Sequence, residues 1–327
     1  MIGERKAIEL ILGRLNKMAN MPIPLGDDVS ACPLTNNRLA VLKTDMLVGK
    51  TDVPKGMSPW QAARKAVVMN VSDFAAKGVK PLVMLASLGF PGSTSERELE
   101  EIAGGLNAGA REYDAYIVGG DTGEASDLII SISVFGIARK GKVMLRSGAK
   151  PGDVVAVTGF FGKTSVGLKI LLEDVKAPRK IHDALVEAVY IPNARLSEGI
   201  ALSRTEAVTA SIDSSDGLAW SLHEISKASG VGVVVDILPV APEAQKFAEA
   251  HNLDPFELAF YGGEEYELVL TLKPEYWSKA EKTVEKAGGR LIKIGRVTRR
   301  KKIVAEVDGG RRIVEPRGWE HFKKNKD

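Results

Sequence analysis

Carboxylates stand where the apolar, strand-forming runs of this chain give out, each in a glycine- or hydroxyl-rich setting. Leu39-Ala-Val-Leu-Lys43 gives way to Thr44-Asp45, and Tyr116-Ile-Val118 gives way to Gly119-Gly120-Asp121-Thr122. Val208-Thr-Ala-Ser-Ile212 gives way to Asp213-Ser214-Ser215-Asp216-Gly217, while Gly26-Asp27-Asp28 and Asn70-Val-Ser-Asp73 add further acids. Like charges repel and raise one another's pKa, so a fold gains no stability from gathering bare carboxylates. Hard divalent cations with phosphate oxygens offset that cost, because Mg²⁺ takes oxygen ligands. The pattern implies magnesium-dependent phosphate chemistry.

At 327 residues the chain is long enough for two domains of ordinary size. A hydrophobic content of 44% and a charged content of 27% are those of a soluble globular protein. Forty-five basic residues against 42 acidic leave a net charge of +3, too small to argue for nucleic acid or an anionic membrane. The basic stretch Arg299-Arg-Lys-Lys302 reads as a solvated hairpin turn between strands. Cys32 is the single cysteine, which excludes an intrachain disulfide and a thiolate metal site. No apolar run has membrane-spanning length. Near the N-terminus Ala7, Ile8, Ile11, Leu12, Leu15 and Met18 share one face of a helical pattern, an amphipathic helix rather than a signal peptide. A cytoplasmic location is expected.

Strand and helix signals alternate, which predicts an α/β (α+β) class. Ser58 and Gln61 form a capping box around Pro59, predicting a helix that runs to Lys77 and stops at Gly78. Ser95 and Glu98 open a second helix reaching about Glu112, and strands follow at about 115–118 and 128–138. Arg146-Ser-Gly-Ala-Lys-Pro-Gly-Asp153 is loop-like, which places a domain boundary near 143. The expected units are 1–143, carrying the metal and nucleotide site, and 144–327. In the second unit helices are expected near 163–173, 179–188, 194–203, 216–229 and 242–251, and strands near 208–212, 231–237, 266–272 and 290–297.

Each acidic motif alone has a bland reading. Gly26-Asp27-Asp28 suits a turn, Thr44-Asp45 a strand end, and Ser215 the N-cap of the following helix. Asp73 lies on the predicted 58–77 helix among apolar neighbours, so it faces something other than bulk water. The helix N-terminus after Asp213 offers free amides suited to phosphate. Gly159-Phe-Phe-Gly162-Lys163-Thr164 is not a Walker A loop, because Val157 stands where the first glycine belongs. The glycines there serve a tight strand-to-helix turn. His182, His223, His251 and His321 are scattered and form no ligand pair; His223 is structural.

Together these motifs resemble the thiamine-monophosphate kinase family, within the superfamily that includes aminoimidazole ribonucleotide synthetase. The resemblance spans nearly the whole chain. It rests on the segments above together with Gly262-Gly263-Glu264-Glu265-Tyr266-Glu267-Leu268 and Gly318-Trp319-Glu320-His321-Phe322. It implies a two-domain fold in which N-terminal strands of two copies build a shared barrel, and hence a homodimer. It also implies transfer of the γ-phosphoryl group of ATP to thiamine monophosphate. By motif, Asp28, Lys43, Thr44, Asp45, Asp73, Asp121, Asp213 and Asp216 take metal positions, Lys43 only through its backbone carbonyl. Tyr113, Gly120, Asp121, Arg146 and Ser215 take nucleotide positions, and Asp52, Glu264 and Trp319 lie near the thiamine phosphate. Asp45, Asp73, Asp121, Asp213 and Arg146 are the implied catalytic set.

Many bacterial members carry a histidine where this chain has Asp52, and the usual Gly-Gly-Glu-Asp-Tyr-Glu reads Gly-Gly-Glu-Glu-Tyr-Glu here. Selenophosphate synthetase needs a reactive cysteine in a glycine-rich segment, which Cys32 beside Pro33 does not supply. The hydrogenase-maturation relative ends in cysteine, whereas this sequence ends in Asp327. Aminoimidazole ribonucleotide synthetase is the remaining enzyme alternative, and a nucleotide-binding scaffold the non-enzymatic one.

Overall fold

The stretch from Ser58 to Gly78 forms the helix its caps predict, and much of the molecule is arranged around it. The structure, a computed structural model, describes residues 3–16, 18–307, 309–320 and 322. In chain order the first half runs α1 (Glu4–Leu12), β1 (Ser30–Leu34), β2 (Arg38–Val48), α2 (Gly49–Asp52), α3 (Pro59–Lys77), β3 (Pro81–Phe90), α4 (Glu96–Glu112), β4 (Tyr116–Glu124) and β5 (Ile129–Arg139). The second half runs β6 (Val154–Val157), α5 (Lys163–Glu173), α6 (Arg179–Tyr190), α7 (Leu196–Ser203), β7 (Val208–Asp213), α8 (Leu218–Ser229) and β8 (Gly232–Val235). It closes with α9 (Pro242–His251), α10 (Pro255–Tyr261), β9 (Leu268–Leu272), α11 (Trp277–Lys286), β10 (Ile292–Thr298), β11 (Ile303–Val307) and β12 (Gly310–Ile313).

The first sheet has the order β1-β2-β5-β3-β4, parallel only between β3 and β4. The second has the order β12-β11-β8-β10-β6-β9-β7, parallel only between β11 and β8. α3 is buried over most of its length between the first sheet, α4, α7 and the β7–β9 edge of the second sheet. Its alanines let neighbours come close. A Cβ on Gly105 of α4 would lie 2.1 Å from the Trp60 carbonyl oxygen, and one on Gly199 of α7 would lie 2.0 Å from that of Ala75. One apolar cluster joins α3 to the inner face of the first sheet and to Leu268, Leu270 and Leu272 of β9. A second fills the space between the other face of the second sheet and α8 and α10. Each fully buried Val or Phe contributes about 1.5–3 kcal/mol, so α3 is firmly held where it meets both halves.

Several local expectations need correction. β2 does not end at Asp45, nor β4 before Asp121; they run on to Val48 and Glu124. Met46-Leu-Val48 is again strand-forming, and β3 draws Gly120 and Asp121 into its ladder opposite Ala86 and Ser87. α1 stops at Leu12, before helix-weakening Gly13, and Ile8, Ile11, Leu15 and Met18 are exposed. Arg299–Lys302 is not a hairpin turn: β10 and β11 flank β8, and the segment crosses its end. That crossing is so close that a Cβ on Gly232 would lie 1.6 Å from the Arg300 carbonyl oxygen. α10 and α11 were not expected; α10 is only 7 residues long, started by Pro255 behind the cap Asp254.

Candidate active site

Side chains from four places in the sequence meet where α3 passes between the sheets. β2 points Lys43 and Asp45 toward α3, while α3 supplies Ser72, Asp73 and Lys77. The Gly26–Asp28 turn and the end of β7 add Asp28 and Asp213. Asp28, Asp73 and Asp213 each offer a carboxylate oxygen within 4.8 Å of the others, and all three are buried. Lys77 Nζ lies 2.6 Å from Asp27 Oδ1 and 2.8 Å from Asp28 Oδ2, and donates to the Ser211 carbonyl at 2.8 Å. Arg146 donates through Nε to Asp28 Oδ1 at 2.5 Å and through Nη1 to the Gly26 carbonyl at 2.8 Å. Its backbone amide bonds Asp27 Oδ2 at 3.0 Å. Lys43 Nζ lies 2.9 Å from Asp73 Oδ2 and 3.9 Å from Asp45 Oδ2, and Ser72 Oγ donates to Asp213 Oδ2 at 2.8 Å.

Crowding and burial set the electrostatics. Burial, then the charge of Asp28, pushes the Asp213 carboxyl up to about 6 against the pull of Ser72, Lys43 and Arg146. Burial pushes Asp73 up as well, opposed by Lys43 and reinforced by the charges of Asp213, Asp28 and Asp45. Burial alone would raise Asp28 too, but Lys77 and Arg146 outweigh it and hold that carboxyl below its usual value. The cluster is therefore short of positive charge around Asp73 and Asp213.

Lys43, Thr44 and Asp45 cannot all face one site, because successive strand residues point to opposite faces. Thr44 turns to the outer face, where its hydroxyl donates to the Ile132 carbonyl at 3.1 Å and accepts from Ser133. Asp121, opposite Ser87 on edge strand β4, lies on that same outer face, three strands from β2 and exposed. At roughly 4.8 Å per strand that is about 14 Å, so within one chain Gly120 and Asp121 do not join the carboxylate cluster. Lys43 enters the cluster through its ammonium group, a contact that the sequence comparison did not anticipate. Tyr113 is also apart: it is buried at the end of α4, and its hydroxyl accepts from the Ala194 amide at 2.9 Å.

Beside the cluster a cavity of about 490 Å³ is lined by Arg146, Asp213, Ser215, Asp216, Trp220 and Trp319, among others. Ser215 does not cap α8 as expected. Gly217, at φ 107°, takes the cap position with no side-chain bond. The backbone of this turn is instead laced to the segment before β9: the Glu264 amide donates to the Ser215 carbonyl at 2.6 Å and the Tyr266 amide to that of Ser214 at 3.0 Å. The Trp319 amide donates to the Asp216 carbonyl at 3.1 Å, which sets Trp319 at the cavity rim; His321 lies outside the described residues. Asp52 and Glu264 are joined through Lys65, whose ammonium lies 3.0 Å from the Asp52 carbonyl oxygen and 2.5 Å from Glu264 Oε1. Asp52 Oδ2 accepts from the Val48 amide at 2.7 Å. Glu264 and Tyr266 adopt positive φ, 66° and 53°, a conformation costly for residues other than glycine.

Sequence reading missed Ser72, Lys65 and Lys77. The signal for the lysines lay in α3 itself: a helix with alanine and valine on every side is buried, so its lysines must be buried and paired. His223 is structural as expected, its Nε2 meeting the Val314 carbonyl at 2.8 Å.

The comparisons agree with this architecture. Residues 26–138 match the AIR synthase related protein N-terminal domain, and residues 150–308 the corresponding C-terminal domain. The fold and its paired domains thus place the chain among AIR synthase related proteins. It is 37% identical to the thiamine-monophosphate kinase of Nitrosopumilus maritimus, over 91% of this chain and 93% of that one. It is 40% identical to that of Pyrococcus abyssi, over 91% and 90%. Among solved structures, one described as AaThiL complexed with AMPPCP and TMP superposes with a TM-score of 0.85 at 28% identity, covering 98% of this chain and 97% of that one. The chain belongs to the thiamine-monophosphate kinase family.

Proposed function

We propose that the chain transfers the γ-phosphoryl group of ATP to thiamine monophosphate, giving thiamine diphosphate and ADP in the last step of that cofactor's synthesis. The observation that carries this reading is the buried trio Asp28, Asp73 and Asp213 beside the Arg146 cavity. The names of the relatives and the AMPPCP and TMP held by the similar structure support it. Three carboxylate oxygens within 4.8 Å, two of them on groups pushed toward protonation, fit hard divalent cations. Asp28, Asp73 and Asp213, with Asp45 alongside, would hold Mg²⁺, which when bound neutralises phosphate oxygens.

Arg146 and the Ser215–Asp216 turn would take the nucleotide phosphates. Asp52, Glu264 and Trp319, tied together by Lys65 and the 214–216 backbone, would bind the acceptor. The acceptor phosphate is already an oxyanion near neutral pH. An oxygen–phosphorus bond to the γ-phosphorus therefore forms as the bond to the ADP oxygen breaks, with no obligatory general base and no phosphoenzyme. Among the described residues no helix is long and apolar enough to cross a membrane, and a cytoplasmic enzyme is proposed.

A homodimer is part of the reading. Leu42, Met46, Leu85, Tyr116 and Val118 expose an apolar outer face on the first sheet, more than a lone sheet leaves to water. A second copy packed there would cover it and bring another Asp121 and Gly120 toward Thr44. The test of function is ADP release with ATP and Mg²⁺, comparing thiamine monophosphate, thiamine and formylglycinamidine ribonucleotide. Turnover with thiamine monophosphate alone is expected. Turnover with the amidine would move the chain to the purine branch, and silence with all three would favour a binding protein.

A further inference from the structure

The carboxylate cluster carries its own cations. Asp27, Asp28, Asp45, Asp73 and Asp213 face Lys43, Lys77 and Arg146, so the basic groups are two fewer than the acidic ones. The three cations are held very differently. Lys77 is fully buried, clamped between two carboxylates and the Ser211 carbonyl. The Arg146 fork is fixed on Asp28 and on the Gly26 carbonyl. Lys43 has one close contact, Asp73 at 2.9 Å, and a loose one, Asp45 at 3.9 Å, and its side chain keeps 21% of its surface exposed.

We propose that the Lys43 ammonium is a displaceable counter-ion: it occupies Asp73 and Asp45 while no divalent ion is bound and gives up Asp73 when one arrives. Lys77 and Arg146 stay on Asp28. This rests on the metal-binding reading of the cluster. Two consequences follow from charge alone. The metal-free site stays assembled in spite of its crowded carboxylates, and the first divalent ion must compete with a tethered cation for the same oxygens, which weakens its binding.

The test is Mn²⁺ binding without nucleotide, read by calorimetry on the folded wild-type chain and Lys43→Met. The expected result is tighter binding in Lys43→Met, by roughly tenfold or more, since a unit charge within a few ångströms is removed. Unchanged or weaker binding in Lys43→Met would overturn the proposal. A second readout needs no variant. Amine acetylation of the wild-type chain, mapped by mass spectrometry, should rise at Lys43 when Mn²⁺ saturates while Lys77 stays protected; no rise at Lys43 contradicts displacement. If wild-type chain and variant alike bind no Mn²⁺ up to millimolar concentration, the metal reading falls and the proposal with it. Equal binding by both removes the proposal alone.

Discussion

The second sheet sends two of its strands into helices through turns of similar make-up. β6 leads through Gly159-Phe-Phe-Gly162 into α5, and β7 leads through Ser214-Ser-Asp-Gly217 into α8. Glycine ends each turn, hydroxyls lie at Thr158 and Thr164 beside the first and at Ser214 and Ser215 within the second, and both present the amide end of a helix, where anions are favoured. One segment, Gly262–Glu267, passes beside both turns. Its Glu264 amide is tied to the β7 turn, whereas the Glu265 carboxylate accepts from the amides of Gly162 at 2.5 Å and Thr164 at 3.2 Å. The anion position at the β6 turn is thus filled by the protein's own carboxylate. The β7 turn keeps its cavity, and Asp213 at its start belongs to the carboxylate trio. Local sequence makes a turn able to bind an anion; a residue far along the chain decides whether a ligand finds it free.

Changes on the two sides should separate cleanly. Asp213→Asn removes a carboxylate from the trio and should lower kcat by roughly 10²–10³-fold, measured as ADP release at saturating ATP and Mg²⁺; a loss under tenfold would place the chemistry elsewhere. Lys65→Met leaves Glu264 without its cation and the Asp52 carbonyl without its donor. Stability should fall by about 3 kcal/mol in urea unfolding, and KM should rise for thiamine monophosphate while that for ATP holds.

Glu265 sharpens the contrast through pH. Burial, with the charge of Glu267 adding to it, pushes this carboxyl up to about 7 in spite of its hydrogen bonds to the 162–164 turn. The native state therefore keeps a proton that the unfolded chain has lost. The stability this group contributes is full below the usual carboxylate value and drains away as pH rises through about 7. Glu265→Gln should remove that slope, so the variant gains on the wild-type chain between pH 5 and pH 8 by on the order of 1–3 kcal/mol. Parallel unfolding curves at both pH values would contradict the assignment. The smallest effect is expected from Lys163→Ala. Among the described residues Lys163 pairs only with half-exposed Glu243, at 3.2 Å, so kcat and KM should stay within about twofold; a large loss would revive a phosphate role for the β6 turn.

Much of the scaffold was legible because its signals are local. The capping boxes at Ser58 and Ser95 and the stop at Gly78 are short-range hydrogen-bonding patterns, and α3 and α4 begin and end accordingly. Asp28, Asp73 and Asp213 were each singled out from their motifs, although their meeting depends on α3 lying between two sheets. The division of Lys43-Thr44-Asp45 between two faces was within reach of strand periodicity alone. What no window of sequence could supply was pairing at long range: Lys77 on Asp27 and Asp28, Lys65 on Glu264, Glu265 on the β6 turn. The crossing at Arg299–Lys302 was hidden for a similar reason, since it depends on which strand lies between β10 and β11.

The most direct measurement is a crystal structure grown with Mn²⁺ and AMPPCP, located by anomalous scattering. The account predicts manganese peaks at bonding distance, about 2.2 Å, from oxygens of Asp28, Asp73 and Asp213, with the analogue's phosphates against Arg146 and the 213–217 turn. It predicts neither metal nor phosphate at Gly162–Thr164. Phosphate density on the β6 turn with Glu265 swung away, or manganese absent from the trio, would contradict it.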